Sequence, residues 1–159
     1  MIYVTNTDAE VTLDNTTLSF PGDTLIQAAG NETNNWGVPG QNGGTLTLTG
    51  IRQRLDGNVT CDGISTVRLH LSEDSQFTGA IDTEHTGKET SLQLDGSSTW
   101  NVTADSHLTS LTNTQQTCSN IQSNGHTVYY DPSHTDNKWL GGQTPGLPGG
   151  GKLTPDACP

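Results

Sequence analysis

Short runs in which apolar and polar residues alternate recur along this chain. In the run from Thr45 to Thr49 every second residue is leucine, which is the period of a β-strand, whose successive side chains point to opposite faces. The same alternation occurs in residues 67–71 and 91–94. We find no segment that keeps the helical spacing of apolar residues over ten or more positions. The pattern therefore predicts an all-β protein with almost no helix.

A second, shorter strand motif with small or polar flanks alternates with these runs in the second half of the chain. Its central residues are spaced 21, 22 and 19 positions apart; they are Val59, Ala80, Val102 and Ile121. A unit of this length cannot enclose a core alone, but it can bury one face by stacking on a similar unit. We predict a β-solenoid, as a right-handed parallel β-helix, over residues 1–140. An antiparallel sandwich is the alternative, because its short strands are also regularly spaced.

The alternation also predicts which side chains form the core. The apolar residues of the longer strands should point inward in stacked ladders; they are Leu46, Leu48, Val67, Leu69, Leu71, Leu92, Leu94, Leu108 and Leu111. Residues 30–44 have no periodicity and predict a loop that contains Trp36. Residues 141–159 are rich in Gly and Pro, so we expect an extended tail after the solenoid.

Composition and charge exclude several classes of partner. Hydrophobic residues are only 29% of the chain, which suits a solenoid with one thin apolar column. The net charge is −11, and the six Lys and Arg residues are scattered, so nucleic-acid binding and attachment to anionic lipid are not expected. No apolar run is long enough to span a membrane, and we expect no membrane insertion.

The setting expected from the sequence is extracellular, at the cell surface or in the envelope. No signal peptide is visible at the start, which indicates either a mature chain or a piece of a longer one. The acidic, polar composition and four Asn-x-Ser/Thr sequences favour this setting. Those candidate N-glycosylation residues are Asn15, Asn31, Asn58 and Asn101.

Three cysteines leave at least one thiol without a partner inside the chain. They are Cys61, Cys118 and Cys158, and their separations do not match the paired ligands of a zinc cluster. Cys61 and Cys118 lie two or three turns apart, at ~4.8 Å per turn, which is too far for a disulfide. They are either buried thiols or, with Cys158 as the leading candidate, partners in an inter-chain disulfide.

Several segments carry a resemblance to a known family. They include residues 58–67, Phe77-Thr78-Gly79-Ala80-Ile81, residues 94–100 and 106–111, and the ending Asn124–Asp131 with Trp139-Leu140-Gly141-Gly142. Over roughly residues 1–153 the chain resembles the C-terminal region of bacterial secreted, adhesin-like right-handed parallel β-helix surface proteins of the pectin-lyase type. The resemblance implies stacked turns and a terminal cap, and it implies no reaction. The short length and the three cysteines depart from that family.

No constellation of catalytic or cofactor-binding residues is evident. Glycoside hydrolysis needs two carboxylates at a defined separation, and no such pair accompanies His126, which we interpret as a turn residue. The other histidines lack the spacing of metal ligands, and the acidic turns at residues 73–74 and 82–84 lack a calcium-binding repeat. We predict no catalytic residue, no metal, no cofactor and no enzymatic activity.

Three functions remain, in order of preference. The first is a non-enzymatic structural subunit of a cell-surface layer, sheath or fibre, bound to copies of itself or to other surface proteins. The second is an adhesin-type module that contacts glycans through the aromatic residues Trp36, Trp100 and Tyr129. The third, a polysaccharide lyase or hydrolase, rests on fold analogy alone.

Overall fold

The computed structural model describes residues 1–31 and 36–156, and it is almost entirely β-structure. Strands make up 48% and helix 4%, and parallel strands stack into a β-solenoid of about seven turns. The predicted fold class is therefore confirmed, and an antiparallel sandwich is excluded. Within the described residues, no helix has the length and apolar character of a membrane span.

Each full turn contributes strands to three faces. Face 1 holds β1 (Ile2–Val4), β3 (Thr24–Ala28), β6 (Asn58–Cys61), β11 (Ser106–Leu108), β14 (Thr127–Tyr130) and β15 (Lys152–Pro155). Face 2 is one five-stranded sheet of β2 (Thr7–Asp14), β4 (Gly44–Ile51), β7 (Thr66–Ser72), β9 (Glu89–Leu94) and β12 (Ser110–Asn113). Face 3 holds β5 (Arg54–Asp56), β8 (Gln76–Gly79), β10 (Thr99–Val102) and β13 (Ile121–Gln122). A 3₁₀ helix (Thr135–Leu140) follows β14.

The short-strand motif identified in the sequence does not correspond to one face, because its members lie on two different faces. Val59 lies on face 1 in β6, whereas Val102 and Ile121 lie on face 3. Both faces carry small residues because neighbouring turns approach closely: a Cβ at Gly79 would lie 2.2 Å from the carbonyl oxygen of Gly57. The true repeat is one turn of three strands. Face 2 shows it directly, where Leu69 is opposite both Leu48 and Leu92, at offsets of 21 and 23 residues.

The core is a single apolar column inside the turns. All nine residues predicted to point inward are at most 2% exposed. Face 3 adds a ladder in which Leu55, Phe77, Trp100 and Ile121 are paired from turn to turn, and the Phe77 and Trp100 rings stack with centroids 6.0 Å apart.

Buried polar residues line the corner between faces 2 and 3. Gln53, Ser75, Ser98 and Asn120 occupy this corner in successive turns and are at most 8% exposed. The hydroxyl of Ser75 accepts from the Gln53 backbone N–H at 3.0 Å, and that of Ser98 accepts from the Ser75 N–H at 3.2 Å. Each turn thus satisfies buried backbone groups of its neighbour, as buried polar groups require.

Residues 17–20 alternate polar and apolar residues, a pattern that predicts a strand, but they form none, although Leu18 and Phe20 pack against the core. A second expectation also differs from the structure. The segment from residue 141 is not a free tail over its described length, because β15 pairs with β14 and Leu147 and Leu153 are buried. Gly141 and Gly142 adopt positive φ and let the chain turn back onto face 1, so here Gly and Pro form turns that return the chain to the stack.

Candidate functional site

The N-terminal end of the solenoid is an open edge. β1 and β2 are the terminal strands of their sheets, each paired with one neighbour among the described residues. The inward-facing residues of β2, which are Ala9, Val11 and Leu13, are only partly buried. Their partners on β4, such as Leu46 and Leu48, have no exposed surface. The first turn therefore presents an incompletely covered apolar ridge beside a strand edge.

Exposed apolar side chains are concentrated at this same end. Within the described residues, all four large hydrophobic side chains that are exposed belong to the first 38 positions; they are Met1, Tyr3, Trp36 and Val38. Trp36 is 53% exposed. Two hydrogen bonds of Asn42 connect Trp36 to the first turn: its side-chain amide donates to the Trp36 carbonyl, and its backbone carbonyl accepts from the Asn6 N–H. An apolar patch with an exposed tryptophan is typical of an interaction surface.

The outward face of β2 is acidic. Asp8, Glu10, Thr12 and Asp14 alternate with the inward ridge. Asp14 is paired with Arg52: one guanidinium nitrogen of Arg52 lies 2.5 Å from the Asp14 carboxylate, and the other terminal nitrogen contacts Glu73. Hydrogen bonding to Asp14 raises the pKa of Arg52, and the charges of Asp14 and Glu73 add to this. Charged residues on an edge strand weaken indiscriminate pairing, so this edge combines an apolar attraction with a negative charge.

On face 2 the 3₁₀ helix covers the C-terminal end of the solenoid, whereas β13 and β15 end their sheets with one neighbour each among the described residues. Asn137 is buried, and its side-chain oxygen accepts from the Leu111 N–H at 2.8 Å while its amide donates to the carbonyls of Thr109 and Asp131. The indole of Trp139 donates to the Leu111 carbonyl at 3.0 Å, and Leu140 is buried. The helix thus covers β12, the last strand of face 2.

Histidine rings from neighbouring turns form a stack on face 1. The His85 and His107 ring centroids are 4.1 Å apart, and those of His107 and Tyr129 are 4.5 Å apart. His85 and His107 together with Asp156 offer ligand atoms that all lie within 4.8 Å of one another. This cluster is not evident from short ligand spacings, because its members are far apart in sequence. The 22-residue separation of His85 and His107 could have indicated it, since that is one turn of this solenoid.

A shallow polar cleft of about 110 Å³ crosses the outer side of face 2. Arg68, His70 and Gln93 line it from the strands, and His134 and Asp136 line it from the loop before and within the 3₁₀ helix. Arg68 is held by a two-point contact with Glu89 at 2.9 Å for each hydrogen bond. No tryptophan or tyrosine lines the cleft, so it lacks the aromatic surface on which a sugar ring stacks.

The two described cysteines are internal. Cys61 and Cys118 are buried and free, and they are not within disulfide distance of each other. Burial raises the pKa of Cys61 to about 12, helped by the charges of Asp82 and Asp62, and burial also raises the pKa of Cys118. A thiol held protonated in this way is a poor nucleophile. Both are therefore unsuited to the inter-chain disulfide proposed from sequence, and Cys158 lies outside the described residues.

Comparison of the chain with protein-family models, curated proteins and solved structures finds no match. The resemblance to adhesin-like surface proteins therefore stays a prediction.

The aromatic residues expected to contact glycans have different environments. Trp100 has no exposed surface and its indole donates to the Gly79 carbonyl, so its assignment as a glycan contact is corrected: it is a core residue. Tyr129 is half-buried and one ring face is taken by His107. Trp36 alone of the three is exposed, and it lies at the open end.

The four candidate glycosylation residues also differ. Asn15 is exposed, while Asn31, Asn58 and Asn101 are half-buried. The side-chain oxygen of Asn58 accepts from the Ala80 N–H at 2.9 Å, and that of Asn101 accepts from Asn124 at 2.8 Å. The sequence Asn31-Glu32-Thr33 extends into residues outside the described range.

Proposed function

We propose that this protein is a non-enzymatic, extracellular structural β-solenoid that assembles through its N-terminal turn. The observation that supports the proposal is the contrast between the two ends of face 2 within the described residues. The first turn has exposed apolar residues and an edge strand, β2, with one neighbour, whereas the 3₁₀ helix covers β12 with hydrogen bonds. In the proposed contact the edge of β2 pairs with the same edge of a second copy. Because both partners use one surface, the contact is isologous and closes as a dimer. A layer or fibre built from such dimers needs a second contact on another surface of the chain.

The acidic residues of β2 repel each other across this contact and make its strength depend on salt concentration. An antiparallel pair of β2 strands brings Asp8, Glu10 and Asp14 of the two copies onto the same outer face, and the chain carries a net charge of −11. Like charges close together are screened by salt, whose Debye length falls from ~30 Å at 0.01 M to ~8 Å at 0.15 M. Association driven by apolar burial against this repulsion should therefore strengthen as salt is added.

Sedimentation equilibrium over a range of protein and salt concentrations tests the proposal. Wild-type protein should shift from the 16.8 kDa monomer toward twice that mass, and the shift should be larger at high salt. Val11→Lys places a charge on the inward ridge and should abolish the dimer. Thr12→Lys, one residue away on the outer acidic face, should preserve or strengthen it, and circular dichroism checks that both variants fold.

A wild-type mass of 16.8 kDa at every concentration and salt level would contradict assembly and favour the adhesin-type module. Electrophoresis without reductant tests the covalent part of the prediction. A dimer band that persists in Cys61→Ser and Cys118→Ser but disappears in Cys158→Ser would assign the inter-chain disulfide to Cys158.

A further inference from the structure

The histidine stack on face 1 lies beside a carboxylate, so that side chains with metal-ligating atoms are close together. Side chains from separate turns bring two imidazoles and one carboxylate together on the surface, with ligand atoms within 4.8 Å of one another. Stacked rings on adjacent turns are ordinary in a solenoid, where in-register side chains lie above one another. The unusual element is Asp156, which follows the last strand and brings a negative charge to the stack.

The environment of His107 favours one tautomer. Its Nδ1 lies 3.1 Å from the backbone carbonyl oxygen of Asp82, and a carbonyl can only accept. The proton of a neutral ring therefore resides on Nδ1, which leaves Nε2 with a free lone pair. Histidines that bind metals have this arrangement, in which the second ring nitrogen donates to a backbone carbonyl or carboxylate.

From these observations we propose that His85, His107 and Asp156 form a binding site for one zinc-type divalent transition-metal ion. Two imidazoles and a carboxylate are ligands that Zn²⁺ accepts, with bonds of ~2.0–2.2 Å, and water can complete its tetrahedral shell. Bonds of that length place tetrahedral ligand atoms ~3.4 Å apart, so the ligand atoms, which lie within 4.8 Å of one another, approach by up to ~1.4 Å when they bind the ion.

The stack must open for this to happen. The two imidazole planes are nearly parallel, at 8°, whereas an ion has to lie close to the plane of each ring that binds it. His107 is fixed by Asp82, so His85 is the ring that rotates. It lies in a turn with a φ of +53° and is only half-buried, which leaves room for that rotation.

Calorimetric titration with ZnCl₂ tests the site, with metal content after dialysis as a second readout. Wild-type protein should bind one Zn²⁺ per chain. His85→Gln and His107→Gln should each weaken binding by more than about tenfold, which even the loss of an outer-shell partner can cause, and Asp156→Asn should weaken it as well. The matched controls are His70→Gln and His134→Gln, which remove partly exposed histidines elsewhere and should leave binding unchanged.

Two further measurements distinguish Zn²⁺ binding at this site from Zn²⁺ binding elsewhere on the chain and from misfolding of the variants. The imidazole NMR signals of His85 should move on addition of Zn²⁺ as the ring leaves the stack, and circular dichroism confirms that each variant folds. Cys158→Ser checks whether a thiolate binds the metal instead. Absence of Zn²⁺ binding, binding that survives His85→Gln, or binding lost only in Cys158→Ser would overturn the proposal. The outcome of the metal titration is independent of the sedimentation experiment, which uses variants of β2.

Discussion

The two ends of this solenoid solve the same physical problem differently. Every parallel stack ends in strands whose outer edge has no neighbour. At the C-terminal end Asn137 supplies three hydrogen bonds and Trp139 a fourth to the last strands. At the N-terminal end β2 has no such cover within the described residues, and Val11 and Leu13 stay partly exposed. On face 2 the last strand is therefore covered and the first is not, which leaves β2 as the edge available to a further strand within the described residues.

The largest expected effect compares leucines on the same face in different turns. Leu69→Ala should lower the free energy of unfolding by ~2–5 kcal/mol, because it leaves a cavity in the closed interior. Leu13→Ala removes the same atoms from the first turn, where the side chain is already partly exposed, and should cost less than Leu69→Ala. Chemical denaturation of dilute protein measures both. Arg68→Ala, on the outer surface beside Leu69, should cost well under ~1 kcal/mol.

Equal costs at Leu13 and Leu69 would show that the first turn is as well covered as the middle of the stack. Equal costs at Leu69 and Arg68 would instead mean that the strand register is wrong.

The next largest loss of stability is expected from substitutions in the 3₁₀ helix that covers β12. Asn137→Ala leaves the Leu111 N–H and two carbonyls without their partner, and a buried group left unsatisfied costs ~1–3 kcal/mol. Asn137→Asp keeps the shape but turns a carboxylate toward the carbonyls of Thr109 and Asp131, so it should destabilise the protein at least as much as alanine. Thermal unfolding of the two variants provides the measurement. An aspartate as stable as wild type would show that the amide donor does not hold the cap.

A smaller, pH-dependent effect is expected at the corner after β9. Although burial opposes ionisation, hydrogen bonds from the Glu73 backbone and from Ser97 and Ser98 lower the pKa of Asp95 to about 2. The ordinary value in an unfolded chain is ~3.9. A lowered pKa in the folded state stabilises the protein above pH ~4, and this contribution is lost as the pH falls toward 2.

Unfolding of wild type and Asp95→Asn across pH 2 to 6 measures this contribution. The stability difference between the two proteins should be largest above pH ~4 and should shrink in acid. A difference that does not change with pH would contradict the assignment.

The alternation of leucine with polar residues was enough to predict the fold class and the core. Leu48, Leu69 and Leu92 stack as expected because the side-chain period of a strand fixes which residues point inward. The division of each turn into three faces was not predictable from the same pattern, since the short strands of faces 1 and 3 share small residues. The prediction of an extended tail from residue 141 was wrong over the described residues 141–156, because Gly and Pro favour turns as well as open chain.

The candidate sites were harder to predict than the core. Trp100 could not be recognised as buried, because aromatic residues occur both in cores and in binding surfaces. The proximity of His85 and His107 depends on the length of one turn, which becomes known only when the register is known. The contrast between the two ends depends on which strands lack neighbours, and that is a property of the assembled stack.

Amide hydrogen exchange at low and high protein concentration compares the two ends of the solenoid within one molecule. We expect the backbone amides of β2 and of Trp36 to become more protected as protein concentration and salt rise, while those of the 3₁₀ helix and β15 do not change. Protection that is independent of concentration at β2, or that rises at the 3₁₀ helix instead, would contradict this expectation.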